Sequence, residues 1–480
     1  MFKPTAASLK AHVIPDWYHD AKLGIFIHWG LYSVPGWAVP EKRLHGVPKN
    51  PVNSPYSEWY QNMLRIKGSP VWEHHRKTYG THFTYDDFAP VFKREAEKMN
   101  AGAWASFITK TGARYTVIVT KHHDGFALWP SIHKNPRKAS WHTERDCVGE
   151  LCEAARRAGL RFGVYYSGIL DWTFQRHAVA DVYDEVLNGV SSPSYARYCF
   201  RQYMELIDRY RPDILWNDIG YPQLGGVKRL LAYYYNTVPE GVVNNRWRTW
   251  LIPGNGRLYP VTKKLIQGLL AAMPALRESI SSGEILNQLD IGDYATPEFD
   301  VNKEIVDFKW ETTMGLGSSY GYNQNEDESN TITGDELIRL FVDIVSKNGN
   351  LLVNIGPRAD GSIPEVQRKP LLALGAWLKK NGRAIYGTRP WTRAASITDA
   401  GTELRFTRKD NEVFIFLMSS PPKRRFAIPD FPVREGSRIS LVDGGGKLPW
   451  TMKGKSLVLS LPAMKKGEPV TALRVQMHGG

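Results

Sequence analysis

The sequence predicts an α/β fold, a (β/α)8-like (TIM-type) barrel followed by a small C-terminal antiparallel β-sandwich, and three patterns point there. From the N-terminus to about residue 388, short β-branched and aromatic runs alternate with amphipathic stretches of helical length, as successive βα units do. Most of these runs are followed by polar or aromatic residues rather than turn formers alone, which a barrel requires if its loops carry a site. After Pro390 the pattern shortens to alternating segments separated by Gly, Pro and Asp, which reads as a sandwich. This places a barrel domain at 1–388 and a sandwich domain at 389–480. A doubly wound sheet is the structural rival, but no G-x-G-x-x-G motif follows a strand to support it.

In chain order, the predicted barrel strands are Gly24–His28, Tyr115–Thr120, Arg161–Tyr166, Asp213–Trp216, Gly241–Asn244 and Asn350–Ile355. Helices are predicted over Ala96–Lys110, Cys147–Ala158, Tyr195–Tyr210, Gly334–Lys347 and Glu365–Asn381, where apolar residues recur at three- and four-residue spacing. In one of them Leu337, Leu340, Phe341, Ile344 and Val345 share a face. The stretch Trp247–Asn287 matches no barrel unit: a Gly- and Pro-rich loop precedes a helix-like run at Leu265–Leu276. It reads as an insertion, with a lid or an oligomer contact as its candidate roles. The sandwich strands are Glu403–Phe406, Val413–Met418, Arg438–Leu441, Ser456–Leu461 and Ala472–Met477.

The formal charge is +14, but Lys and Arg are spread along the chain, with only short clusters such as Lys423-Arg424-Arg425. No helix-turn-helix, zinc-finger or ribonucleoprotein motif accompanies them, so no nucleic-acid partner is expected. Three cysteines without C-x-x-C spacing exclude a disulfide framework and a zinc site. No run approaches the roughly 18 apolar residues of a membrane span, and the N-terminus lacks a continuous apolar core, so a soluble, cytoplasmic protein without a membrane partner is expected. A secreted or periplasmic location is the alternative if a leader has been removed. A homo-oligomer is left open. Sixteen tryptophans and twenty-three tyrosines exceed ordinary core needs, and aromatic faces suit the C–H face of a sugar.

Asp218 is the candidate catalytic acid, because Asp213-Ile214-Leu215-Trp216-Asn217-Asp218 presents a carboxylate where a strand stops. Capping of the next turn is the plainer use of such an Asp. Four further segments carry acids, imidazoles and rings near strand ends: Gly24–Gly30 with His28, Lys121–Phe126 with His122 and His123, Tyr165–Trp172, and Asn244–Trp247 with Arg246. A metal centre built from His28, His122, His123 and Asp124 is disfavoured. Adjacent histidines on an extended segment point to opposite sides, and H-x-D is a short, common spacing. Neutral imidazoles bonded to vicinal hydroxyls are the better use, so neither metal nor cofactor is expected. A glycosidic bond calls for two carboxyl groups, and Glu298, amid aromatics that would help it hold a proton, is the second, with Glu58 and Glu311 as rivals. The absence of a G-x-S-x-G elbow and of a Walker lysine loop sets acyl and phosphoryl transfer aside.

Taken together, WYHDAKLGIFIHWGLYSVPG from Trp17, KHHDGF, YYSGILDW, LWNDIG, VVNNRW, GDYATPEF, KWETTMGLGSSYGYN and NGNLLVNIGP resemble the α-L-fucosidases of glycoside hydrolase family 29, over about residues 15–390. The resemblance implies a retaining, exo-acting hydrolase of fucosylated oligosaccharides or glycoconjugates, with Asp218 as nucleophile and a covalent fucosyl-enzyme. It implies that His28, His122 and His123 bind fucose hydroxyls, and that Glu58, Tyr165, Trp216 and Arg246 complete the pocket. It also implies that Phe26, Trp216 and Tyr320 wall the C6 methyl group. Glu298 is the acid/base choice. Asn245 stands before Arg246 where many members have an acid. Alternatives are a retaining glycosidase on a related sugar such as a galactoside, and a catalytically silent fucose-binding protein.

Overall fold

The computed structural model describes residues 1–42, 50–190, 192–249, 259–273, 291–444, 446–463 and 467–477. Strands β1 (Leu23–Ile27), β2 (Tyr115–Lys121), β3 (Arg161–Ser167), β4 (Ile214–Asp218), β5 (Val242–Val243), β6 (Trp310–Met314) and β7 (Gly349–Ile355) form a parallel sheet in the order β5-β4-β3-β2-β1-β7-β6. Its two edges are joined by the irregular segment 293–299. Parallel bridges link Tyr294 to Asn244 on one side, and Ala295 to Trp310 and Glu298 to Thr313 on the other. The Asp293 N–H donates to Val243 O at 2.9 Å, and the Glu311 N–H to Ala295 O at 2.8 Å. The sheet therefore closes into a (β/α)8-like barrel whose eighth stave is not a regular strand.

Inward-facing Phe26, Tyr115, Val117, Tyr165, Ile214, Trp216, Val242, Tyr294 and Leu352 fill the barrel. This is side-chain packing rather than a pore. A Cβ on Gly24 would lie 2.2 Å from the Tyr115 ring, so glycine there is what lets that ring cross the interior. The helices that pack outside begin where the sequence supplies caps. Asp146 accepts from Gly149 N, Ser192 from Tyr195 N, and Thr333 forms a capping box with Glu336.

Two of the departures from the sequence expectation have a local cause. Ala96–Lys110 is not one helix: Phe88–Ala96 ends there, and Asn100, with its side chain on Ala103 N, starts Ala101–Lys110. β6 was not anticipated because its inward residues are Glu311 and Thr313 rather than apolar ones. Of the insertion, the helix Tyr259–Ala271 is described, held through Tyr259 and Lys263 to Asp184. Residues 250–258 and 274–287 of it lie outside the described residues. Among the described residues no helix is long and apolar enough to cross a membrane.

The C-terminal strands β8 (Arg389–Ile397), β9 (Glu403–Lys409), β10 (Glu412–Leu417), β11 (Arg425–Ile428), β12 (Arg438–Leu441), β13 (Trp450–Lys453), β14 (Ser456–Ser460) and β15 (Thr471–Gln476) form two antiparallel sheets, β12-β15-β10-β9-β8 and β11-β14-β13. Leu404, Phe406, Ile415, Phe426, Leu457, Leu459 and Val475 interdigitate between them. The larger sheet turns Phe414 and Phe416 to the barrel, where Trp377 Nε1 donates to Val470 O at 2.8 Å.

Glu311 lies deep in the barrel, accepting from Tyr18 Oη at 3.0 Å and Tyr115 Oη at 2.5 Å. Tyr115 opens β2 and Tyr18 precedes β1, so this carboxyl belongs to the amino-terminal end of the barrel, opposite the carboxyl ends of the strands. Burial pushes it up to about 7, against the tyrosine hydrogen bonds that lower it. A carboxyl raised on folding contributes its full stability below its unfolded pKa and loses it as pH climbs through the folded value. Glu311→Gln, which keeps an acceptor of the same shape, is therefore expected to gain stability near pH 8 by up to about 3 kcal/mol and to gain little near pH 4. Denaturant melts at the two pH values check this; equal effects at both would refute it.

Candidate functional site

Every strand that ends at the pocket contributes through its last residues or the loop that follows. Phe26 and His28 come from the end of β1, His122 and His123 follow β2, and Tyr165 and Ser167 close β3. Trp216 and Asp218 end β4, Arg246 follows β5, and Thr296 and Glu298 come from the irregular stave. Tyr320 follows β6, and Asn354 lies near the end of β7. Glu58 enters from the long β1–β2 connection on the short helix Ser57–Trp59.

Asp218 is nearly buried, and both of its oxygens are engaged. Oδ1 accepts from Arg246 Nη1 at 2.8 Å and from the Ile219 N–H at 2.9 Å; Oδ2 accepts from Tyr165 Oη at 2.7 Å and faces His123 Nε2 at 3.8 Å. Burial alone would raise this carboxyl, but the Arg246 guanidinium and the Tyr165 hydroxyl oppose it, and the carboxyl is held below its ordinary range. Ile219 adopts φ 58° and Gly220 φ 107°. A β-branched residue in the left-handed region is strained, and that strain sits directly beside Asp218. The turn is held from the side by Gly168, whose N–H donates to Asp218 O at 3.1 Å.

A methyl group on Gly168 would lie 1.9 Å from the Gly220 carbonyl oxygen and 2.5 Å from Asn217 Oδ1. Gly168→Ala is therefore expected to destabilise the protein by about 1–3 kcal/mol and to cut kcat by about 10²-fold through displacement of Asp218. Thermal melts and steady-state kinetics test both numbers, and an unaffected kcat would show that the turn does not set the carboxylate's position.

Arg246 spans the site. Its Nη1 holds Asp218, while its Nη2 meets Glu298 Oε1 at 2.6 Å and Thr296 O at 2.9 Å. Its Nε donates to Thr296 Oγ1 at 2.9 Å, and the guanidinium lies over the Trp216 ring at 4.8 Å. Thr296 Oγ1 in turn donates to Asn245 Oδ1 at 2.9 Å, so the Asn before the arginine takes part in aiming it. Asn244 and Asn217 exchange side-chain and backbone hydrogen bonds of 2.8 and 3.0 Å, which stitches the end of β4 to the end of β5. Glu298 is thus placed against a cation as well as beside aromatic groups, with Tyr56 Oη 3.4 Å from its other oxygen.

Glu58 is buried; its Oε2 accepts from Gly321 N at 2.7 Å and Ser319 Oγ at 3.2 Å, and burial raises it to about 7. His28 and His123 are pushed down to about 3 and about 4, chiefly by burial, and His122 well below its usual value for the same reason. All three are neutral imidazoles at neutral pH. Phe26, Tyr165 and Trp216 form a wall with ring centroids 5.4 to 5.7 Å apart, and Tyr320 adds an edge 5.0 Å from His28. Lys121, fully buried, pairs with Asp171 at 2.9 Å and fixes the loops that carry His122, His123 and Trp172.

The structure brings the proposed pocket residues to one mouth, with Glu311 at the far end of the barrel. Asp124 turns to Tyr85 instead of the pocket, at 2.9 Å. Among the described residues no group of three or more His, Cys, Asp or Glu is arranged to hold a metal ion. Sequence reasoning assigned no role to Tyr56, Trp59 or Trp172, although Trp172 ends the Tyr165–Trp172 segment singled out above. The Trp59 and Trp172 rings flank His123, each at 5.5 Å, and only their adjacency to Glu58 and Asp171 marked them. It also assigned no role to Ser167, Thr296 and Asn354, which lie within quoted segments and touch His123, Arg246 and His28.

Carboxylates, neutral imidazoles and aromatic walls at the carboxyl mouth of a (β/α)8-like barrel define a carbohydrate-processing enzyme. The family model described as Alpha-L-fucosidase matches residues 1–383, and the chain belongs to that family of glycoside hydrolases. It is 31% identical to plasma alpha-L-fucosidase of Pongo abelii over 96% of this chain and 89% of that protein, and 30% identical to the human plasma enzyme over the same shares. The Thermotoga maritima alpha-fucosidase in complex with fucose is 40% identical, covers 99% of this chain and 100% of its own, and superposes with a TM-score of 0.82. An alpha-L-fucosynthase from the same organism, in complex with alpha-L-Fuc-(1-2)-beta-L-Fuc-N3, is 40% identical with a TM-score of 0.83, covering 98% of this chain and 99% of its own.

Proposed function

We propose that the protein is a retaining, exo-acting α-L-fucosidase that removes terminal α-L-fucosyl residues from fucosylated oligosaccharides or glycoconjugates through a covalent fucosyl-enzyme. One observation carries the reading: a single guanidinium, that of Arg246, holds Asp218 and Glu298 on its two terminal nitrogens, at 2.8 and 2.6 Å. Asp218, kept ionised, attacks the anomeric carbon. The glycosidic bond breaks, and Glu298 gives a proton to the departing oxygen. One negative charge thereby leaves Asp218 and appears on Glu298, and Arg246 faces both. In the second half Glu298 takes a proton from water, the water oxygen attacks the anomeric carbon, and Asp218 regains its charge.

The neutral imidazoles of His28, His122 and His123 and the Glu58 carboxyl supply directional partners for hydroxyls. The packed barrel layer of Phe26, Tyr165 and Trp216 floors the pocket, which suits a chain end rather than the middle of a polymer. Phe26, Trp216 and Tyr320 offer an apolar surface to the C6 methyl group, worth about 1–3 kcal/mol against the hydroxymethyl of a galactoside. Transfer to a sugar acceptor in place of water follows the same second step.

Hydrolysis of an aryl α-L-fucoside followed by proton NMR tests this. The α-anomer of fucose is expected to appear first, with a matching galactoside cleaved about 10- to 200-fold less efficiently. The β-anomer appearing first would refute a covalent intermediate, and a faster galactoside would reassign the sugar. Binding of fucose without cleavage would leave a silent sugar-binding protein.

A further inference from the structure

We propose that Ser167 is a positioning residue that locks His123 in its Nδ1–H tautomer, so that Nε2 meets the substrate beside Asp218 as a lone-pair acceptor and requires a hydroxyl donor there. The inference deepens the reading above and rests on it. Ser167 Oγ has two neighbours, His123 Nδ1 at 2.6 Å and Leu170 O at 2.7 Å. A carbonyl oxygen only accepts, so the single hydroxyl proton of Ser167 goes to Leu170, and His123 Nδ1 has to be the donor of the other bond. A neutral imidazole has one N–H, and Nε2 is left with its lone pair facing Asp218 Oδ2 at 3.8 Å. Two acceptors at that separation share no hydrogen bond. A hydroxyl that donates to one of them settles the gap.

The same logic recurs across the pocket. Asn354 Nδ2 donates to the Tyr320 carbonyl at 2.5 Å, which turns Oδ1 toward His28 Nδ1 at 2.7 Å and makes that nitrogen a donor too. His122 differs, since its Nδ1 is buried without a hydrogen-bond partner. Two of the three imidazoles are thus set as acceptors by their hydrogen bonds to Ser167 and Asn354.

The test uses the intact enzyme labelled with nitrogen-15 histidine, its His123 signals assigned by their loss in His123→Asn. At pH 7.5 the wild type is expected to show the Nδ1–H pattern. Ser167→Ala is expected to shift His123 toward Nε2–H and to lower kcat/KM on an aryl fucoside about tenfold, with Ser167→Thr restoring both. An Nε2–H pattern in an active wild type would overturn the relay, as would equal losses in the Ala and Thr variants with the tautomer unchanged. A wild type that shows Nδ1–H and cleaves no fucoside would overturn the functional reading while leaving the hydrogen-bond relay intact. If Ser167→Ala fails to fold, the wild-type spectrum still decides.

Discussion

Asp218→Gly is expected to lower kcat on an aryl α-L-fucoside by at least about 10⁴-fold while fucose itself still binds, because the covalent route is lost and the rest of the pocket is kept. The contacts explain why the two effects separate. Arg246 would still hold Glu298 at 2.6 Å and Thr296 through two further bonds, so its charge is not left buried and alone. Tyr165 loses one acceptor but stays stacked on Trp216. His28 keeps Asn354, and Glu58 keeps Gly321, so the partners that hold the imidazole and the carboxyl do not depend on Asp218. Steady-state kinetics and calorimetric titration with fucose measure both halves. Turnover within tenfold of the wild type would remove Asp218 from the nucleophile role, and loss of fucose binding along with turnover would mean that the carboxylate holds the pocket together.

The place of Asp218 at the mouth was legible because an apolar run that stops in Trp-Asn-Asp shows the end of a strand in one dimension, and a barrel gathers its site at such ends. His28, His122 and His123 were legible for the same reason. Groups that act at one remove were not: Ser167, Thr296 and Asn354 are ordinary polar residues whose role exists only when a second segment arrives. Thr296 meets Arg246 from fifty positions away in sequence. The barrel's closure was hidden more deeply. Its eighth stave reads Asp293-Tyr294-Ala295-Thr296-Pro297-Glu298-Phe299, with a proline and no alternation, and β6 turns Glu311 inward where a strand pattern demands an apolar side chain. Both depart from the sheet code where the polar interior and the catalytic mouth need them to. The split of Ala96–Lys110 has a local cause: the periodicity runs on across Asn100, but that side chain prefers to cap Ala103 N.

Glu298→Ala is expected to slow hydrolysis by about 10²- to 10⁴-fold when the leaving group is a sugar, and far less when it is a dinitrophenol that departs without protonation. That contrast separates an acid/base from a binding residue, whose loss would affect all leaving groups alike. Azide added to the variant is expected to restore turnover of the activated substrate and to yield α-fucosyl azide, since a small anion can enter where the carboxylate stood and attack the fucosyl-enzyme from that face. Glu58 is the comparison, because it too is a buried carboxyl near the pocket. Its Oε2 is committed to Gly321 N–H and Ser319, however, whereas Glu298 shares Arg246 with Asp218. Glu58→Ala should therefore raise KM for every fucoside without azide rescue. Rescue at Glu58 and none at Glu298 would transfer the proton to Glu58 and leave Glu298 as the partner that keeps Arg246 aimed at Asp218.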